Sequence, residues 1–132
     1  MKELLIAEAR SARLKAYAPY SNFLVGAAVM THSNKIYSGC NIENSSYSLT
    51  CCAERVAIFK AVSAGDMTIK GMAIVGDTDE PISPCGACRQ VMSEFLSLET
   101  MIYLANTQHE VMELTINDLL PYAFNVRSFN DH

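Results

Sequence analysis

Three cysteines in two short motifs constrain the fold of this chain more than any other feature. The motifs are Cys52-Ala53-Glu54 and Pro84-Cys85-Gly86-Ala87-Cys88. Three sulfur ligands can occupy three corners of a zinc tetrahedron and leave the fourth for water, and a nearby acidic residue can move protons to and from that water. A fold that brings the two motifs to one ion would therefore form a hydrolytic zinc site rather than a structural one.

Both motifs coincide with predicted helix starts. A Cys-x-x-Cys pair at a helix entry directs two sulfurs at one ion while the helix N-terminus supplies positive potential. Positions i and i+2 diverge inside a regular helix, but both can face a metal if Cys52 lies at the cap and Glu54 in the first turn. Glu54 is then predicted to reach the water; the alternative is a helix-start glutamate favoured by the macrodipole.

Two arginines each directly follow a ligand. Three thiolates around Zn²⁺ leave an excess negative charge, which Arg55 or Arg89 could offset by donating hydrogen bonds to sulfur. The alternative for either residue is a solvated surface position, and only the family resemblance of the chain favours Arg55 over Arg89 for this role.

Two further kinds of site are compatible with these cysteines. Cys-x-x-Cys alone also occurs in structural zinc sites and in thioredoxin-type redox pairs. Against redox chemistry, the motif comes late in the chain and Trp is absent. Against a closed structural site, only three ligands have clear spacing; Cys40 or Cys51 could supply a fourth, but we expect both to be small buried hydrophobic residues.

Hydrophobic periodicity and loop lengths predict the fold class. Helices are predicted over residues 2–16, 52–64 and 85–98, strands over 23–30, 35–40, 69–75, 101–105 and 110–114, and a short helix that begins at the Thr115–Asp118 capping box. The polar turn at 31–34 predicts an antiparallel hairpin, and the connection at 106–109 is too short for a parallel crossover. We therefore predict an α/β fold, a single domain over 1–132 built as a three-layer α/β/α sandwich, with a five-stranded mixed sheet and an antiparallel last strand.

Composition excludes several classes of function. The net charge is −4 and no run of Lys or Arg occurs, so nucleic acid is not expected as a partner. No stretch approaches the roughly 18 apolar residues of a membrane span, and the N-terminus lacks the pattern of a secretory signal. Five cysteines, an odd number, favour reduced thiols and a cytoplasmic location.

Taken together, three separated motifs resemble one known family. Gly39-Cys40-Asn41-Ile42-Glu43-Asn44, Cys52-Ala53-Glu54-Arg55 and Pro84-Cys85-Gly86-Ala87-Cys88-Arg89-Gln90 are similar to motifs of the small, homotetrameric, zinc-dependent cytidine deaminases. The likeness extends over essentially the whole chain, including Tyr17-Ala18-Pro19-Tyr20-Ser21 and Leu119-Leu120-Pro121. The zinc and glutamate pattern is the one typical of nucleobase deaminases.

The resemblance implies a role for individual residues. It implies Cys52, Cys85 and Cys88 as ligands of one Zn²⁺ per subunit and Glu54 as the proton shuttle. The substrate-binding positions it implies are Phe23, Asn41, Ile42, Glu43, Ala53 and Phe124, the last contributed by a neighbouring subunit. Asn41 and Glu43 would bind ribose hydroxyls with Ile42 contributing backbone, Phe23 would contact the pyrimidine, and Tyr47 would lie in a segment that reaches across the subunit boundary. From the residues alone, Asn41 and Glu43 would more often be turn or surface positions and Phe23 a core residue.

The implied function is hydrolytic deamination of cytidine and deoxycytidine to uridine and deoxyuridine plus ammonia in pyrimidine salvage. A related deaminase acting on nucleic-acid bases or on a nucleoside antibiotic is an alternative. The acidic charge and the predicted antiparallel last strand argue against the first, and Asn41-x-Glu43 argues against the second. The remaining alternative is a non-enzymatic zinc module or a thiol–disulfide protein.

Overall fold

The computed structural model describes residues 1–81, 84–122 and 124. Within these residues the helices are α1 (Lys2–Arg13), α2 (Ala53–Ser63), α3 (Gly86–Phe95) and α4 (Ile116–Leu119), and the strands are β1 (Val25–Thr31), β2 (Ile36–Cys40), β3 (Ile69–Gly76), β4 (Leu96–Asn106) and β5 (Val111–Thr115). A single 3₁₀ turn spans Tyr47–Leu49. None of the helices in the described ranges is long and apolar enough to cross a membrane.

The five strands form one mixed sheet with the order β2-β1-β3-β4-β5. β1 pairs antiparallel with β2 and with β3, β3 and β4 are parallel, and β5 is antiparallel to β4. The parallel pair is the one whose connection contains a helix, α3, which is long enough for a crossover. The predicted hairpin and the predicted antiparallel last strand are both confirmed.

Helices cover both faces of the sheet. Alternate residues of β1 point to opposite faces, so Ala27 and Val29 pack against α2 while Ala28 and Met30 pack against α1. α3 and α4 contribute buried residues on the α2 face, including Met92. The predicted three-layer α/β/α sandwich is confirmed.

Two glycines allow the helices to lie directly on the strands. A Cβ at Gly26 would lie 1.9 Å from Ala9 O of α1, and a Cβ at Gly39 would lie 2.6 Å from Ala57 N of α2. Neither distance leaves room for a methyl group. The close approach at Gly39 fixes α2 against the end of β2.

The structure corrects two predicted helix ends. The first helix stops at Arg13 instead of residue 16, because the chain turns so that Tyr17 N–H donates to Asn41 O at 3.0 Å. The third stops at Phe95 instead of residue 98, because Leu96 is buried and pairs with Ile69 of β3. Residues 96–98 therefore belong to β4, and the prediction of helix there is wrong.

Candidate active site

The N-termini of α2 and α3 converge at the edge of the sheet where β2 and β3 end. Cys52 is the N-cap residue of α2 and Cys85 that of α3, both with extended backbone. Cys88 lies in the first turn of α3, and its backbone N–H donates to Cys85 Sγ at 3.4 Å. This arrangement confirms the predicted placement of the cysteines at two helix starts.

The three sulfurs are spaced as zinc ligands require. Cys85 Sγ lies 3.9 Å from Cys52 Sγ and 3.2 Å from Cys88 Sγ, and all three sulfurs are within 4.8 Å of one another. Zn–S bonds of about 2.3 Å in a tetrahedron place sulfurs about 3.8 Å apart. Cys40 and Cys51 lie outside the cluster, and among the described residues no fourth His, Cys, Asp or Glu joins it. The donor set fits one zinc ion with an incomplete protein coordination shell.

Cys52 and Cys88 differ in acidity because of their neighbours. A hydrogen bond from the Cys88 thiol, together with the Arg55 guanidinium, lowers the pKa of Cys52 to about 5. The same hydrogen bond and burial raise the pKa of Cys88. Arg55 Nη2 lies 3.6 Å from Cys52 Sγ and donates to Thr50 O at 3.2 Å, and the sulfur raises the pKa of Arg55.

Glu54 lies in the first turn of α2, beside the cluster. Its side chain is only 5% exposed, and burial raises the pKa of its carboxyl. A hydrogen bond from its own backbone N–H opposes that shift. A carboxyl in such surroundings can take up and release a proton closer to neutral pH than an exposed glutamate can.

A cleft of about 340 Å³ opens beside the cluster. Its lining combines two of the cysteines with most of the predicted substrate contacts: Ser21, Phe23, Val25, Asn41, Glu43, Thr50, Cys52, Ala53, Glu54 and Cys85. The volume lies within the range of small-molecule sites. The fold thus brings together residues that the sequence analysis selected from separate motifs.

Asn41 and Ile42 are held by the backbone around them. Asn41 is buried, its Oδ1 accepts from Val25 N at 2.9 Å, and its Nδ2 donates to Phe23 O at 2.8 Å. Ile42 exchanges two backbone hydrogen bonds of 2.9 Å with Cys51, and its side chain is exposed rather than directed at the cleft. The amide of Asn41 therefore joins the start of β1 to the end of β2.

Glu43 lines the same cleft and is held by the loop around Ser21. Its Oε1 accepts from the backbone N–H groups of Tyr20 and Ser21 at 3.1 Å, and its Oε2 accepts from the Ser21 hydroxyl. These hydrogen bonds, that of the hydroxyl first, lower the pKa of Glu43. The carboxylate is thus an ionised acceptor.

Arg89 occupies a different environment from Arg55. Its Nε donates to Pro84 O at 2.9 Å and its Nη1 to Leu119 O at 2.7 Å. These hydrogen bonds join the start of α3 to the end of α4. The structure therefore supports a role for Arg89 in holding α4 against α3.

Two residues expected at a subunit boundary do not line the cleft of their own chain. Phe124 is 68% exposed and its carbonyl accepts from Gln90 Nε2 at 2.8 Å. Tyr47 is 80% exposed in the 3₁₀ turn. Both side chains are accessible to a neighbouring molecule.

Sequence reasoning missed Ser21, Val25 and Thr50 as cleft residues. Ser21 belongs to a motif that carried the family resemblance, but its hydrogen bonds to Glu43 join positions far apart in the chain. Thr50 precedes the cysteines and binds Arg55 through its carbonyl. The hydrogen bonds between Ser21 and Glu43 follow no local pattern, and the motif position of Ser21 was the available signal.

The family model for the cytidine and deoxycytidylate deaminase zinc-binding region matches residues 1–105. The chain belongs to this family. The match covers both cysteine motifs, which supports the assignment of the sulfur cluster to zinc.

Individual members of the family are similar along nearly their whole length. A cytidine deaminase of Sporosarcina psychrophila is 55% identical over 122 residues, which cover 92% of this chain and 90% of the relative. That of Halalkalibacterium halodurans is 49% identical over 130 residues, 98% of each chain. The crystal structure of cytidine deaminase from Burkholderia pseudomallei superimposes with a TM-score of 0.91 at 50% identity and covers 94% of this chain and 99% of that one. The family recognition and the fold prediction are both confirmed.

Proposed function

We propose that the protein deaminates cytidine and deoxycytidine by hydrolysis, giving uridine or deoxyuridine and ammonia. The observation that carries the proposal is a single cleft whose lining includes Cys52, Cys85 and Glu54 together with Asn41 and Glu43. A pyrimidine at the cluster end would place its sugar near the two polar residues. Membership of the deaminase family supports the same reaction.

The charge of the cleft favours a nucleoside over a nucleotide. The family name covers both cytidine and deoxycytidylate deaminases. None of the described residues that line the cleft is Lys or Arg, and Glu43 is ionised. A phosphate group would lose its hydration without gaining a cationic partner and would be repelled by the carboxylate.

In the proposed mechanism Glu54 carries protons between water and substrate. Bound zinc would supply the Lewis acidity that lets water ionise near neutral pH. Glu54 accepts the first proton of the water and delivers it to N3 of the ring as the water oxygen adds to C4. Glu54 then takes the second proton and delivers it to the departing amino group, which leaves as ammonia. Arg55 offsets the charge of the sulfurs through its contact with Cys52.

The remaining cleft residues are proposed to orient the nucleoside. Phe23 is half-buried against the core and lines the cleft, so its ring can pack on the pyrimidine. Ala53 offers the backbone of the first turn of α2 at the cluster end. Asn41 and Glu43 would bind the sugar hydroxyls, and Ile42 would hold these two in register through its paired hydrogen bonds with Cys51.

We further propose a homotetramer in which Phe124 closes the cleft of a neighbouring subunit. Several large apolar side chains are exposed, which is typical of an interface: Tyr20, Ile42, Tyr47, Leu49 and Phe124. Light scattering that finds an active monomer would contradict shared clefts.

A role in pyrimidine salvage in the cytoplasm completes the proposal, supported by the reaction and by the five cysteines without a disulfide.

The direct test is turnover of purified, zinc-loaded protein followed by ultraviolet absorbance. Cytidine and deoxycytidine should both be converted, whereas deoxycytidylate and a cytosine-containing single-stranded oligonucleotide should not. The Glu54→Gln variant, purified in parallel, controls for contaminating deaminases. Absence of turnover with both nucleosides, or a preference for the nucleotide, would contradict the proposal.

A further inference from the structure

Ser21 connects two residues of the cleft through one hydroxyl group. Its Oγ–H donates to Glu43 Oε2, and its Oγ accepts from the backbone N–H of Phe23 at 3.0 Å. Ser21 itself lines the cleft together with Phe23 and Glu43. The hydroxyl therefore lies between the residue proposed to contact the pyrimidine and the residue proposed to bind the sugar.

The hydroxyl determines how much of Glu43 remains for a ligand. A carboxylate offers about four acceptor positions, two on each oxygen. Two backbone N–H groups occupy Oε1, and Ser21 occupies one position of Oε2. Counting donors from the described residues, one acceptor position is left, on the oxygen that Ser21 binds, so the hydroxyl controls the direction of that remaining position.

The loop that carries Ser21 is held independently of this hydroxyl. Asn22 N–H donates to Ala18 O at 3.0 Å, Tyr17 N–H donates to Asn41 O at 3.0 Å, and Glu43 N–H donates to Tyr17 O at 2.8 Å. These backbone hydrogen bonds would survive removal of the Ser21 side chain. The hydroxyl is therefore not required to fold the loop, and its two contacts act on Glu43 and Phe23.

We propose that Ser21 is a positioning residue that orients Glu43 Oε2 to accept a hydrogen bond from a sugar hydroxyl of the substrate. The inference rests on the proposed function, because it requires a nucleoside in the cleft. Ser21 acts through Glu43 and takes no part in proton transfer at the ring. Its loss should raise KM more than it lowers kcat, and the effect should depend on the sugar.

The test compares cytidine with 2′,3′-dideoxycytidine, which has the same ring but lacks both secondary hydroxyls. For Ser21→Ala we expect kcat/KM for cytidine to fall about tenfold, as for loss of a hydrogen bond to a charged group, with little change for the dideoxy compound. Ser21→Thr keeps the hydroxyl and should restore the wild-type ratio of the two values. In a Glu43→Gln background, Ser21→Ala should have no further effect on that ratio.

Ser33→Ala is the matched control. Ser33 Oγ donates to Asp66 Oδ2 at 2.6 Å, the same kind of serine–carboxylate hydrogen bond, in the β1–β2 turn at the opposite end of β1 from the cleft. This variant should keep the wild-type ratio. An equal loss with both substrates in Ser21→Ala would show a structural role and overturn the inference, as would no loss at all. A wild-type protein inactive on cytidine would overturn the proposed function and this inference with it, whereas an active wild type with an unchanged ratio in Ser21→Ala overturns the inference alone.

Discussion

Replacing Arg55 with alanine should weaken zinc binding about tenfold. The substitution removes the hydrogen bond from Nη2 to Cys52 Sγ and the guanidinium charge that offsets the thiolates. A hydrogen bond to a charged group contributes about 1.5–3 kcal/mol. Arg55 is partly exposed, so water replaces some of the interaction, and we take a value just below this range, about 1.4 kcal/mol, which corresponds to a factor of ten. This magnitude agrees with the about 10–100-fold effects of groups that hydrogen-bond metal ligands.

The assay is competition for zinc between the protein and a metallochromic chelator at neutral pH, read as the zinc Kd. Arg55→Lys keeps the positive charge but removes the guanidinium geometry, so it separates these two contributions to the zinc Kd. Arg10→Ala is the matched control, because it removes the same charge from α1 on the opposite face of the sheet and should leave the zinc Kd unchanged. An Arg55→Ala protein with the wild-type Kd would refute the charge-offset argument.

Three other perturbations test the site and the packing around it. Glu54→Gln keeps the shape of the side chain but cannot carry a proton, so kcat should fall by a factor of about 10²–10⁴. The zinc content measured by mass spectrometry should stay at one ion per chain. A fully active variant would contradict the role of Glu54 as proton shuttle. Gly39→Ala places a methyl group 2.6 Å from Ala57 N and must displace α2, so the free energy of unfolding in urea should drop by about 1–3 kcal/mol. Gly86→Ala, whose added Cβ meets nothing within 4 Å, is the control for stability and should lose none. After zinc removal with a chelator, iodoacetamide should alkylate Cys52 with a half-maximal rate near pH 5. Cys51 should react only at much higher pH, because burial raises its pKa. Peptide mass spectrometry that finds Cys51 to be the faster-reacting cysteine would contradict this order.

The layout of the site followed from local sequence patterns to a large extent. Cys52 and Cys85 lie at helix N-caps as predicted, since the start of a helical pattern can be recognised from neighbouring residues. Strand directions followed from loop lengths, because a four-residue connection can only join antiparallel strands. Glu54 lies beside the cluster because it occupies the first turn of α2, the helix that begins after Cys52.

A second group of features depended on contacts between distant residues. The early start of β4 results from the pairing of Leu96 with Ile69, which no local pattern encodes. Arg55 and Arg89 have equivalent positions after a ligand, yet one donates to sulfur and the other to Leu119 O, because α4 packs beside α3. Sequence reasoning therefore left Arg89 open.

The sequence alone determined the ligand chemistry, the helix starts that carry it, and the strand directions, because each depends on residues within a few positions of one another. Only the tertiary structure decided which side chains meet across the cleft, including the hydrogen bonds of Glu43 with Ser21 and of Asn41 with Phe23 and Val25. Such partners are selected by the packing of whole helices and strands, and a side chain of given chemistry finds its partner only after that packing is complete.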